Sequence, residues 1–407
     1  MPFQIALSGL NAASTSLSNT ANNIANVNTA GFKKSRANFV ELFATGLQNV
    51  STDATGLGAR TSSIQQQFSQ GSLEFSDNNL DLALVGGGFF TLADTEGSIS
   101  YTRAGNFGVN RDGFVVNDQG QRLQAFPPLG GTELFNTGSL NDLQLDTTDN
   151  APAATERVTA GLNLPADASP PAVATFDLTD PQSYNHTTSV TVFDSLGGSH
   201  TASYYFVKTA DPNEWEVYLA IDDTQVGTGQ PLEFDASGQL TAPAPPSDIA
   251  FPAAPVPPAE DLELTLNVSD VTQFGSTFNV NSLGQDGFAS GRLVSIEINP
   301  EGVVFARFTN GQSEPLGQLA ITNFANPDGL ENVSDTRWAE TFESGQALRG
   351  PAGSGDLGTI QAGALETANV DLANELVNMI TAQRTFQANA QMISTADAIT
   401  QTIINIR

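Results

Sequence analysis

Few residues in this sequence could carry out chemistry. His186 and His200 are the only histidines and cysteine is absent, and neither histidine stands at a spacing that gathers carboxylates into a metal site. Asp194, Ser195 and His200 lie close enough to suggest a nucleophile with its base and orienting acid. The surrounding "DSLGG", however, reads as a turn and not as the strand–elbow–helix that exposes a nucleophilic serine. Asn110, Asp112, Asn117 and Asp118 around Gly113 hint at a calcium loop but lack its spacing and terminal glutamate, so a hairpin turn is expected. "NVNTAG" and "LVGGGFF" are glycine turns without the Gly-Lys-Ser/Thr of a phosphate loop. Gly86, Gly87 and Gly88 are instead expected to permit a tight bend that carries Phe89 and Phe90 into a core. No catalytic, cofactor-binding or metal-binding residue is assigned.

The informative spacing is at the two ends. Phe3, Leu10, Leu17 and Ile24 recur every seven residues, and Ala6, Ala13, Thr20 and Val27 follow three further on, the pattern of a coiled-coil-like helical seam. Pro2 suits a first helical turn and Gly31 a stop. At the C-terminus Leu365, Leu372, Met379, Phe386 and Ile393 repeat at seven, with Leu376, Ala390 and Ile404 four further on and Gln383 and Asp397 interrupting. Asp371 and Glu375 near the start of that helix and Arg407 at its end match the helix dipole.

The N-terminal helix is chemically odd. The first 32 residues contain no Asp, Glu, Lys or Arg, and twelve of the twenty residues 11–30 are Asn, Ser or Thr. These types compete with helical hydrogen bonding. A solvated helix would carry Lys and Glu, whereas one packed among other polar helices needs short groups that bond across an interface. The expectation is a helix that gains its order by packing with many copies of the chain. Asn22, Asn23, Asn26 and Gln383 are its expected polar contacts between subunits. Phe3, Leu10, Leu17, Ile24, Leu372, Leu376, Met379, Phe386 and Ile393 are its assembly seam. The "KKSR" that follows, Lys33, Lys34, Ser35 and Arg36, is either a solvated cluster or a basic end that meets an acidic surface on a neighbour.

Between the ends the chain is β-rich. Short apolar runs alternate with turns at Glu96-Gly97, Asp112-Gly113, Gln119-Gly120, Leu196-Gly197-Gly198 and Asp211-Pro212-Asn213. The stretch of 149–180, rich in Ala, Pro and Thr, and that of 241–260, which holds seven of the 21 prolines, read as loops or linkers. The expected fold is multidomain, with coiled-coil-like terminal helices paired with each other and mainly-β central domains in a nested arrangement. Residues 1–30 and 365–407 would form the paired helices, 31–70 and 359–364 connecting segments, 71–145 with 285–358 one β domain, and 146–284 an inserted outer β domain.

Charge narrows the partners. The net charge is −29 over 407 residues, and residues 71–364 carry all of it, because the two ends cancel. Such a body repels phosphate backbones and anionic lipid, so neither nucleic acid nor membrane insertion is expected. No apolar run approaches the ~20 residues of a membrane span. A cleavable signal peptide is not evident, which by itself suggests the cytoplasm.

"SGLNAASTSLSNTANNIANVNTAGFKKSR" resembles the N-terminal signature of the rod and hook family of bacterial flagellar axial proteins, and "LETANVDLANELVNMITAQRTFQANAQMISTADAITQTIINIR" its C-terminal one. "LVGGGFFTL", "YTRAGNF", "WAETFESG", "TDPQSYNHTTSVTVFDSLGGSHTASYYFVKT" and "NSLGQDGFASGRL" resemble that family too, on its hook side. The likeness is weakest over 241–260. It implies a homopolymeric, flexible, curved tube that couples rod to filament and transmits torque, and an extracellular place in the flagellum. It also implies export through the flagellar type III apparatus, and partners among the rod, hook cap and hook–filament junction proteins. The competing readings are a distal rod protein of the same family, a secreted β-rich binding protein or enzyme, and a soluble monomer with a simple helix pair.

Overall fold

Helix α1 (Pro2–Ala25) and helix α2 (Leu372–Asn405) stand at the two ends of a chain that is otherwise mainly β. The computed structural model describes residues 2–42, 56–130, 134–145 and 148–405. Serine and threonine are accommodated in these helices by turning their hydroxyls inward: Thr15 donates to Asn11 O, Thr381 to Val377 O and Thr385 to Thr381 O. Both helices are shorter than their sequence period suggests. α1 ends at Ala25 and turns lead on to Gly31, whose φ of +69° only glycine adopts freely. Residues Ala364–Glu366 form a strand against Leu73–Phe75, so Leu365 is not the first turn of α2. α2 starts instead where Asp371 Oδ1 accepts from the backbone N–H groups of Ala373 and Asn374. The side chain of Ile404, together with Arg407, lies outside the described residues.

The chain divides into two compact units. Unit 1 comprises 1–146, 295–307 and 313–407, and unit 2 comprises 147–294 and 308–312. In unit 1, α1 is followed by a hairpin of β1 (Ser35–Glu41) and β2 (Ala59–Gln66), paired from Ser35↔Gln66 to Glu41↔Ala59 with a bulge at Asn38/Phe39. Its main sheet draws strands from both sides of the excursion into unit 2: Phe89–Ala93 pairs with Ile99–Thr102, Arg122–Phe126 and Ser313–Asn323. Successive residues of one strand face opposite ways. Phe90 therefore enters a core with Leu82, Leu84, Leu92, Leu123, Leu319 and Ile321, while Phe89 enters a second with Tyr101, Phe324 and Trp338. Gly86 and Gly88, at φ of +111° and +113°, make the bend that delivers both rings.

Unit 2 is two five-stranded sheets sharing one core. The first runs His186–Phe193, Ser199–Lys208, Glu214–Ile221, Thr224–Phe234 and Leu240–Ala242, antiparallel throughout. The second is mixed and is centred on Arg157–Pro165, which pairs parallel with Thr265–Asn267 and Thr272–Phe274 and antiparallel with Asn279–Gln285.

Two segments expected to be linkers are structural here. Arg157–Pro165 buries Val158, Ala160, Leu162 and Leu164, a two-residue period that the surrounding Ala, Pro and Thr obscured. The proline-rich stretch contributes the strand Asp248–Ala250 and seats Ile249, Phe251, Ala254 and Val256 in the core. Its prolines alternate with apolar side chains that have a core to enter.

Candidate assembly site

α1 and α2 lie side by side and antiparallel, with Gly9 beside Asn389 at one end and Asn23 beside Glu375 at the other. A Cβ on Gly9 would stand 2.7 Å from the Asn389 amide oxygen, the movable end of that side chain. The buried face of α1 is Ala6, Ala13, Thr20 and Asn23, and that of α2 is Glu375 and Ala382. It is a seam of small and polar groups. The larger residues assigned to assembly sit beside it or away from it. Leu10, Leu17, Ile24, Met379, Phe386 and Ile393 are half-buried, and Phe3, Leu372 and Leu376 are exposed.

The asparagines differ in what they touch. Asn23 Oδ1 accepts from Ser35 N and its Nδ2 donates to Ser35 O and Glu375 Oε2, while Asn19 Nδ2 donates to the same Ser35 carbonyl. One turn of α1 thus grips the start of β1, and Asn23 is spent within the chain. Asn22 and Gln383 are exposed, and Asn26 Nδ2 donates to Asn22 O. Asn22 and Asn26 line a polar cleft of about 440 Å³ together with Asn106, Asp118, Asp335 and Trp338.

Below the helices lies a cluster that the sequence pattern did not disclose. Lys33, Arg103 and Glu366 are buried together. Glu366 Oε1 accepts from Lys33 Nζ at 2.6 Å and from Gly71 N at 2.8 Å, and Oε2 accepts from Arg103 Nη1 at 3.3 Å. Lys33 Nζ also donates to Ser69 O, and Arg103 Nη2 to Gly86 O. Asn369 completes the knot: its Oδ1 accepts from Lys34 N, and its Nδ2 donates to Gln67 O and Ser69 O. The segment leaving α1, the strand leading into α2, the 67–71 loop and the body of unit 1 are joined at one point. Burial draws the pKa of both Lys33 and Arg103 below its ordinary value, and the Glu366 carboxylate opposes that shift. Lys33 is therefore neither solvated nor available to a neighbour, whereas Arg36 is exposed. The one local signal was a lysine ending a long run without charge.

The other candidates resolve into structure. His200 Nδ1 pairs with Asp222 at 2.6 Å and Nε2 with Asp194 at 3.1 Å, while Ser195 Oγ accepts from Glu260 N, so serine and histidine are not coupled. His186 stacks on Phe278. Asn110 Oδ1 accepts from Asp112 N and Phe114 N, and Gly113 has a φ of +82°, which makes that stretch a hairpin turn. Among the described residues no three His, Cys, Asp or Glu gather as metal ligands, and no helix is long and apolar enough to cross a membrane.

Four family models match the chain: flagella basal body rod protein over 3–33, flagellar hook protein FlgE/F/G D1 domain over 83–174, flagellar basal body protein FlaE D2 domain over 163–288, and flagellar basal body rod FlgEFG protein C-terminal over 361–406. Over 413 residues the chain is 40% identical to the flagellar hook protein FlgE of Escherichia coli strain K12, with both chains covered in full. It is 38% identical to that of Salmonella typhimurium strain LT2 over 415 residues, again in full, and 33% identical to that of Borreliella burgdorferi, covering 98% of each. The crystal structure of Helicobacter pylori flagellar hook protein FlgE2 shares the fold at a TM-score of 0.55 and 16% identity, over 72% of this chain and all of that one.

Proposed function

The chain belongs to the flagellar hook protein family, and from that premise we propose how its parts divide the work of a hook. It is a structural subunit of the flagellar hook, external to the cell, and not an enzyme. Copies polymerise into a flexible curved tube that couples rod to filament and carries torque. In this reading α1 and α2 form a coiled-coil-like inner wall that holds register between copies, and unit 2 supplies surfaces that slide as the tube turns. Polar, low-charge contacts suit sliding because water or a neighbouring group replaces each of them at little net cost. The rod, hook cap and hook–filament junction proteins and the type III export apparatus are its partners.

The observation that carries this division is the buried knot of Lys33, Arg103, Glu366 and Asn369, which ties the entry to both helices to the body of unit 1. A load taken by the helices passes to the β body through ion pairs and hydrogen bonds and not through a loose linker. Immunogold electron microscopy with antibody against residues 151–290 tests the placement. Label on a short curved segment at filament bases is expected, and label confined to the cell interior or to the filament overturns it. A distal rod protein is the weaker reading, because the full-length relatives are hook proteins.

A further inference from the structure

Phe342 is the most exposed large apolar side chain among the described residues, at 102% of its reference surface. It does not sit on a loose loop. Thr341 Oγ1 donates to Gly329 O, Ser344 Oγ donates to Thr341 O, and Thr341 N donates to Ser344 Oγ, with Ser344 fully buried. An aromatic ring held out on an immobilised turn loses little entropy when a partner captures it, which is the property of an interface anchor. Glu340 and Glu343 flank it, both exposed.

Unit 1 also carries a groove of about 700 Å³ between α1, α2 and β1. Its lining is mostly Asn, Ser and Thr, with an apolar part made by Ala13, Ala37, Phe39 and Ala382, and Lys34 and Arg36 also line it. Neither of these two cations has a carboxylate partner among the described residues, although the chain as a whole is strongly acidic. The one carboxylate in the groove, Glu375, is buried and bonded to Asn23.

We propose that Phe342, with Glu340 and Glu343 beside it, docks into this groove on a second copy of the chain, the two acids meeting Lys34 and Arg36. The assignment rests on the polymer reading above and adds to it a specific contact. Charge complementarity selects the occupant: in a subunit of net charge −29, a groove lined by two cations without carboxylate partners favours an acidic turn. Because knob and groove are different surfaces, the contact is head-to-tail, the kind from which an open helical polymer is built when its rotation does not close.

The absence of cysteine makes the test direct. Hooks are purified from cells that co-express full-length Phe342→Cys and Ala37→Cys chains, then oxidised and run without reductant. Cross-linked species of two chains are expected, with none from either variant alone. In parallel, Phe342→Ser and Glu343→Arg are each expected to raise the subunit concentration that supports polymer about tenfold. Arg36→Glu combined with Glu343→Arg is expected to restore it. Hooks that form without cross-link, or Glu343→Arg chains that assemble as the unmodified chain does, overturn the docking and leave the hook reading standing. Failure of the unmodified chain to polymerise overturns both.

Discussion

Lys33, Arg103 and the Gly71 N–H converge on the Glu366 carboxylate, whose value lies in what its removal would expose. Glu366→Gln leaves the cations of Lys33 and Arg103 buried without a counter-charge, a change that costs about 3–5 kcal/mol. The two tryptophans make this measurable, since Trp338 is buried in unit 1 and Trp215 in unit 2. In a Trp215→Phe background, urea unfolding followed by fluorescence is expected to shift to lower denaturant for Glu366→Gln. With Trp338→Phe and Trp215 retained, the same substitution is expected to leave the unit 2 transition in place. His200 allows a second residue-scale prediction. Its hydrogen bond to Asp222, supported by Asp194, holds the imidazolium pKa above the ordinary 6.5. That contribution is complete below pH 6.5 and fades as pH rises through the raised value. Asp222 is held below the usual carboxylate range by the Thr201 N–H and by His200, so its contribution is present above 3.8 and fades in stronger acid. His200→Gln should therefore destabilise unit 2 at pH 5.5, by about 0.5–1 kcal/mol because Asp222 is half-exposed, and much less at pH 9. Trp215 fluorescence reads the difference. Little of this was legible in the sequence: Lys33 and Glu366 stand 333 residues apart, and local pattern carries no trace of such a pair.

At the scale of elements the seven-residue period was legible and the face it buries was not. The period lies in the large residues, yet Ala6, Ala13 and Thr20, one row over, are the ones that α1 buries. Small groups let two helices approach closely, and Gly9 stands beside the Asn389 side chain of α2. Ala13→Leu should push the helices apart at a cost of about 1–3 kcal/mol, through overpacking. Leu10→Ala removes only half-buried surface and should cost the free chain less, about 1 kcal/mol or below. If Leu10 completes its burial against another copy, it is the second substitution that reduces hook number disproportionately to its effect on monomer stability. Thermal unfolding of the monomer set beside hook counts in micrographs separates the two. Strands fared differently. Alternation made the hairpins around Gly97, Gly113 and Gly120 readable, whereas composition hid Arg157–Pro165 and Asp248–Ala250. A proline-rich segment reads as a linker until a core accepts the apolar residues between its prolines.

For the whole molecule the decisive quantity is charge, and it is unevenly held. Residues 147–294 contain 19 acidic and three basic side chains, and one of the three, Lys208, is buried. If copies bring such surfaces together, they repel at a range set by salt, roughly 10 Å at 0.1 M. Repulsion of this kind opposes a fixed, dry contact and permits neighbours to shift past one another. The chain enters and leaves this region through adjacent backbone, since Asn150 N donates to Gly291 O at 2.7 Å and Gly291 N to Asn150 O at 3.3 Å. Residues 151–290 can therefore be replaced by a short Gly-Ser link without stretching what remains. The shortened chain should still assemble, because the helices, the buried knot and the Phe342 turn are intact. Its tubes should differ from full-length hooks in curvature and bending stiffness, measured from their contours in electron micrographs. Raising the salt from 0.05 M to 0.5 M should alter the stiffness of full-length hooks more than that of the shortened ones. Equal stiffness and equal salt response in the two would mean that unit 2 takes no part in bending, and flexibility would then have to arise from the contacts of unit 1.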